Sequence, residues 1–122
     1  MKRLPEAELE VMLEIWKQKE PVCRVDLEKS LADKNWAAPT ILTMLSRLEK
    51  KGYLSMKKVG KTNFYTALVS EKDYATVEGK NMMEKFFGNS LKSFVACMTG
   101  NEGFSKKELE ELRQFLDLIE DK

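Results

Sequence analysis

Thr40, Thr43, Ser46, Arg47 and Lys50 fall at helical spacing, and Lys57, Lys58 and Lys61 follow within a few residues. Hydroxyls and cations in such a pattern neutralise phosphates and hydrogen-bond to base edges, which is the chemistry of a duplex-DNA surface. Residues 34–62 carry seven basic side chains against one acidic, a local net charge of +6 in a chain whose total is only +1. The flanks run the other way: residues 1–33 carry −2, residues 99–122 carry −3, and residues 63–98 balance. A solvated charged face is the plainer reading, yet so one-sided a block builds a positive field that an anionic partner would feel. Threonine is also a mediocre helix former, so two on one helix face suggest a use.

Other chemistry has little to work with. The chain has no histidine and only two cysteines, Cys23 and Cys97, far apart in sequence. A Ser-His-Asp or Cys-His arrangement cannot be assembled, and a Cys/His zinc site needs more ligands. Nothing marks any of the twenty acids as special. No catalytic residue, metal site or cofactor is therefore expected. No apolar run approaches the ~18 residues of a membrane span. The start, MKRLPEAELE, lacks the apolar stretch of a secretory signal. The expectation is a cytoplasmic protein with no membrane insertion.

The positioning elements follow from periodicity. Residues 5–18 read as a helix with Leu9, Met12, Leu13 and Trp16 as its core stripe. Residues 22–34 read as a second, shorter helix, with Val22 or Val25, Leu27 and Leu31 inward. A third begins at Pro39, with Ile41, Met44, Leu45 and Leu48 inward and the hydroxyls and cations opposite. Lys50 and Lys51 followed by Gly52 are helix-ending chemistry. Residues 53–59 and 62–68 read as two strands around Gly60 and Lys61. The order helix, helix, helix, hairpin is that of a winged helix-turn-helix, in which a groove-reading helix sits beside a basic wing.

Beyond Val69 the pattern is helical. Ser70 reads as a cap, Gly88-Asn89 as a bend or split, residues 99–104 as a loop, and Ser105 to Glu108 as a capping box. The fold class is mainly α with a small β-hairpin: a winged-helix DNA-binding domain over 1–69 and a helical dimerisation region over 70–122. Phe86, Phe87, Leu91 and Phe94, with Leu109, Leu112, Leu116 and Ile119, form more apolar surface than two helices can bury on each other. A second copy would complete it, giving a homodimer that reads a palindrome of double-stranded DNA.

The stretches LPEAELEVMLEIW, TILTMLSRLEKKGYL, KVGKTNFYTALVS and FSKKELEELRQFL resemble the BlaI/MecI/CopY family of transcriptional repressors over essentially the full length. The spacing of Thr40, Thr43, Leu45, Arg47, Leu48, Lys51 and Gly52 carries most of that resemblance. It implies a winged-helix dimer on a palindromic operator that represses resistance or copper-export genes. Thr40, Thr43 and Arg47 would be helix contacts to DNA and Lys61 a wing contact. Pro39 and Leu42 depart from the family's pattern of lysine and of polar or basic residues. The tail after Gly100 has no cysteine, so the copper branch's motif is absent. In the penicillinase branch a beta-lactam-responsive membrane sensor protease cuts an Asn-Phe bond. The matching position here is Cys97-Met98, preceded by a fitting SFVA. Proteolysis, a ligand in the dimer core and metal remain as inducing routes, metal being the weakest.

Plainer roles stand beside these. Trp16, Trp36, Phe64 and Tyr65 read as packing rather than base stacking. Cys97 reads as a buried small hydrophobe, and Met82, Met83 and Met98 as a helix-packing surface. The competing functions are a winged-helix protein–protein interaction module, at which Leu42 hints, and a ligand-responsive regulator unrelated to beta-lactams. RNA binding would want an aromatic stacking pair on the basic face, and none is there.

Overall fold

The computed structural model describes residues 3–99 and 103–120. Its order is α1 Glu6–Lys17, β1 Val22–Cys23, α2 Arg24–Ser30, a 3-10 turn at Ala32–Lys34, α3 Ala38–Lys50, β2 Leu54–Val59, β3 Thr62–Ala67, α4 Glu71–Phe87, α5 Leu91–Met98 and α6 Lys106–Glu120. The chain divides into two compact units, Met1–Glu78 and Gly79–Lys122. Of the loop expected over 99–104, residues 100–102 lie outside the described residues.

The first unit is a three-helix core closed by a small sheet. Helix α3 buries Ile41, Met44, Leu45 and Leu48, the stripe its periodicity predicts. Its exit is a Schellman motif. The Tyr53 amide donates to the Leu48 carbonyl at 2.9 Å and the Gly52 amide to that of Glu49 at 3.0 Å. Gly52 holds φ at 84°, a left-handed conformation that glycine adopts without penalty. The motif's apolar contact is present as well, because Tyr53 and Leu48 are both buried. Strands β2 and β3 then pair from Leu54↔Ala67 to Val59↔Thr62 around Gly60 and Lys61, as expected.

Two expectations need correction. The second helix does not begin at Val22. Val22 and Cys23 pair with Tyr65 and Phe64, so the sheet has three strands in the order β1-β3-β2. A two-residue strand has no period of its own, and only pairing with β3 creates it. Val22, not Val25, is the inward valine, and the helix proper stops at Ser30. The buried face of α1 is Glu8, Val11, Met12 and Ile15 rather than Leu9, Met12, Leu13 and Trp16. Both sets obey the same i, i+3, i+4, i+7 template. Lys51 at the end of α3 forms an ion pair with the buried Glu8 carboxylate, which offsets the cost of burying that acid.

The start of α4 is tied to this unit. Ser70 caps it by accepting from the Asp73 amide at 3.0 Å. The Tyr74 ring lies 5.9 Å from both Trp16 and Tyr53, and its hydroxyl accepts from the Leu4 amide at 3.0 Å. The Trp16 indole donates to the Val69 carbonyl at 2.9 Å. Burial pushes the Tyr53 phenol above its ordinary 10.0, and Tyr74 and Glu78 nearby push the same way. Burial also raises Tyr65, against an opposing hydrogen bond from Asn63. A raised phenol favours the protonated folded state, so its stabilisation is complete below the unfolded value near 10 and is lost as pH rises through the folded one. Thermal melts should therefore show these two tyrosines destabilising the fold only above about pH 10. Phenolate absorbance for them should rise together with unfolding. Ionisation of Tyr53 and Tyr65 in a chain that stays folded would contradict this.

In the second unit Gly88 and Asn89 both take left-handed φ, 54° and 62°, and divide the helical stretch as expected. Ser90 starts α5 by accepting from the Ser93 amide at 3.1 Å. Ser105 and Glu108 cap each other's backbone at the start of α6, at 3.1 and 3.2 Å.

Candidate nucleic-acid interface

Thr40, Thr43, Ser46, Arg47 and Lys50 are all exposed on α3, because its apolar stripe turns the opposite side inward. Thr40, Thr43 and Arg47 share a shallow hollow of about 380 Å³ with Pro5, Ala7, Glu8 and Met44, where the start of α1 meets α3. The Thr43 hydroxyl donates to the Pro39 carbonyl at 2.9 Å. Its proton is thus committed, and what it offers outward is an acceptor and a methyl group.

A second hollow, of about 190 Å³, opens beyond the other margin of α3. Cys23, Arg24 and Val25 at the start of α2, Leu42 of α3, and Lys61, Thr62, Asn63 and Tyr65 of the wing line it. Arg24 and Asn63 were not among the sequence candidates. They enter because β1 pairs with β3 and carries the start of α2 to the base of the wing, which no local pattern announces.

The strand register separates the wing lysines. Lys57 pairs with Phe64 and Lys58 with Asn63, so the pleat points them to opposite faces of the hairpin. Lys58 shares the face of Asn63 and Tyr65, which line the hollow beside α3; Lys57 is on the other. Of the seven cations in the basic block, Lys34 lies 3.8 Å from Glu10 and Lys51 is paired with Glu8. Among the described residues Arg47, Lys50, Lys57, Lys58 and Lys61 have no ion-pair partner, and all are exposed. Unpaired surface cations of this kind release counterions when they meet phosphates.

Of the expected packing aromatics, Tyr65 is buried and Trp16 and Trp36 are half-buried against the core, while Phe64 is half-buried on β3. In the second unit, Leu91, Leu112 and Leu116 come together around an apolar groove of about 450 Å³, with Lys92, Val95, Ala96 and Thr99. The rings of Phe87 and Phe94 meet edge to face at 5.4 Å. Phe86 stands apart from them, 69% exposed, with the Lys85 ammonium 5.5 Å from its ring centre. Leu109 is half-buried in a separate hollow with Lys106, Lys107, Glu110 and Arg113, and Ile119 is exposed. Cys97 and Met98 form the last residues of α5 and are both exposed. The expected burial of Cys97 does not hold in the single chain, where it is exposed. No group of three or more potential metal ligands occurs, and no helix is long and apolar enough to cross a membrane, among the described residues.

A family model described as Penicillinase repressor matches residues 4–118. The penicillinase repressor of Bacillus licheniformis is 36% identical over 120 residues, covering 96% of this chain and 94% of that protein. The methicillin resistance regulatory protein MecI of Staphylococcus aureus strain N315 is 36% identical over 111 residues, covering 91% and 90%. The solution structure of the DNA-binding domain of the repressor BlaI superposes with a TM-score of 0.52 at 41% identity, covering 61% of this chain and 94% of that one. The monomeric form of Bacillus licheniformis BlaI in complex with the blaP half-operator gives 0.51 at 40% identity, covering 60% and 89%.

Proposed function

Because the chain belongs to the penicillinase repressor family, we propose that it is a sequence-specific DNA-binding repressor of transcription, working in the cytoplasm on antibiotic-resistance genes. The observation that carries this is the run of unpaired cations and hydroxyls from α3 to the wing, in a protein whose other segments are neutral or acidic. Helix α3 enters the major groove, where Arg47, Thr40, Thr43 and Ser46 approach base edges, while Lys50, Lys57, Lys58 and Lys61 neutralise phosphates. Opposite faces of the hairpin give Lys57 and Lys58 different phosphates. Bound at a promoter, the protein blocks transcription by occupancy and needs no chemistry of its own.

The exposed apolar residues of α5 and α6 support a homodimer, since Leu91, Leu112, Leu116 and Ile119 would otherwise face water. Two copies then present two α3 helices to a palindromic operator. For release we propose proteolysis at Cys97-Met98 by a membrane sensor. The bond is in the exposed last turn of α5, and cutting it detaches α6 from the DNA-binding unit.

Alanine substitution on the DNA face tests the division of labour. Arg47→Ala should cost about 1–3 kcal/mol on the operator and relax specificity. Lys61→Ala should weaken operator and random duplex alike and flatten the salt slope by about one unit. Equal losses on both duplexes for Arg47→Ala would remove it from base reading.

A further inference from the structure

Leu42 is the exposed large hydrophobic residue of α3, 38% accessible, on a surface otherwise made of hydroxyls, cations, Pro39 and Glu49. It follows Ile41 of the buried stripe and precedes Thr43, so it sits on the flank of the helix that turns toward the wing. There it lines the hollow whose other walls carry Arg24, Lys61, Thr62 and Asn63 together with the exposed Val25. In a complex with DNA the unpaired Lys61 would hold a phosphate beside Leu42, while Arg24 lies 3.4 Å from Glu28. An apolar group desolvated in that position needs an apolar surface to meet. The major groove presents one such feature at its floor, the C5-methyl group of thymine. A stray surface leucine needs no explanation on its own; one beside an unpaired cation, on the helix that would enter the groove, does.

We propose that Leu42 reads a thymine methyl group, making it a specificity determinant of the operator; this rests on the DNA-binding reading above. The contact excludes water from both methyl groups and adds no hydrogen bond. It discriminates thymine from uracil by a single carbon, the C5-methyl group that cytosine also lacks. Thr43, with its hydroxyl proton committed to Pro39, stays available beside it as an acceptor.

The test uses the intact protein and a duplex enriched by it from a randomised pool. Each thymine is replaced in turn by deoxyuridine, which lacks only the methyl group. At one thymine in each half-site the replacement should weaken binding about fourfold, the worth of one buried methyl-sized group. Leu42→Ala should bind the thymine and uracil duplexes equally, and Leu42→Met should keep the preference. The proposal is overturned if no thymine shows a penalty, or if the penalty persists in Leu42→Ala. It is equally overturned if Leu42→Ala lowers the melting temperature and weakens every duplex alike, because Leu42 would then be propping the wing rather than reading a base. Failure to enrich any duplex would instead remove the DNA-binding reading, and this contact with it.

Discussion

A chain ended after Glu78 is expected to sediment as a monomer and to bind the operator about a hundredfold or more weakly than the full chain, with little loss of fold. Its core is self-sufficient: Leu4, Val11, Met12, Ile15, Leu27, Leu45 and Leu48 are buried together, and Tyr74 with its partners Trp16 and Tyr53 lies before the cut. What disappears is the second unit, with Leu91, Leu112, Phe115 and Ile119 exposed in the single chain. If that surface holds two copies together, the second half-site is bound at the effective concentration set by the first. Losing the link forfeits a factor of about 10²–10⁴ without touching a DNA contact. The truncated chain should keep the sequence preference of the full one and show roughly half its salt slope, because half as many phosphates are neutralised per binding event. A chain ended after Cys97 mimics cleavage: it keeps α5 but loses α6, and its affinity should fall between the two. Undiminished affinity with an unchanged salt slope after the Glu78 cut would place the dimer contacts in the first unit and leave the proposed release by proteolysis without a mechanism.

What was legible in the sequence was whatever is decided within a few residues. The stripe Ile41, Met44, Leu45 and Leu48, the exit at Gly52, the hairpin around Gly60 and the caps at Ser70 and Ser105 all occur where local chemistry placed them. Each is set by neighbours no more than one or two helical turns away. Features resting on distant partners were not legible. Helix α1 offers two registers at the same spacing, and the one used buries Glu8, whose carboxylate is paired with Lys51, 43 residues further on. Strand β1 exists only because Tyr65 and Phe64 are there to pair with it. Arg24 and Asn63 join the candidate DNA surface through that same pairing, so no inspection of either segment alone would find them. The apolar pattern of α5 and α6 says that a surface needs covering, whereas the split between the Leu91–Leu112–Leu116 groove and the separate hollow at Leu109 is a matter of tertiary geometry.

Leu45→Ala is expected to cost about 2–5 kcal/mol of folding free energy, against a total of roughly 5–15 for a domain of this kind. Leu45 is fully buried on the one face that fixes α3 to the rest of the unit. Removing its branched end deletes the transfer energy of three carbons and leaves a cavity, since Ile41, Met44 and Leu48 are held by the same helix and cannot all move in to fill it. The melting temperature should fall by roughly 8–40 °C, taking about 4–8 °C per kcal/mol for a domain of this size. Ser46→Ala, one residue along on the exposed face, should stay within about 0.5 kcal/mol. The pair of substitutions also separates stability from recognition. Well below its melting point Leu45→Ala still presents Thr40, Thr43 and Arg47 in their places, so operator affinity per folded molecule should be near that of the natural chain, whereas Ser46→Ala can change affinity without changing the melt. Denaturant titration alongside DNA titration reads both quantities. A cost for Leu45→Ala below about 1 kcal/mol would mean that the core can close around the gap, and would undercut the rigid seating of α3 that groove reading requires.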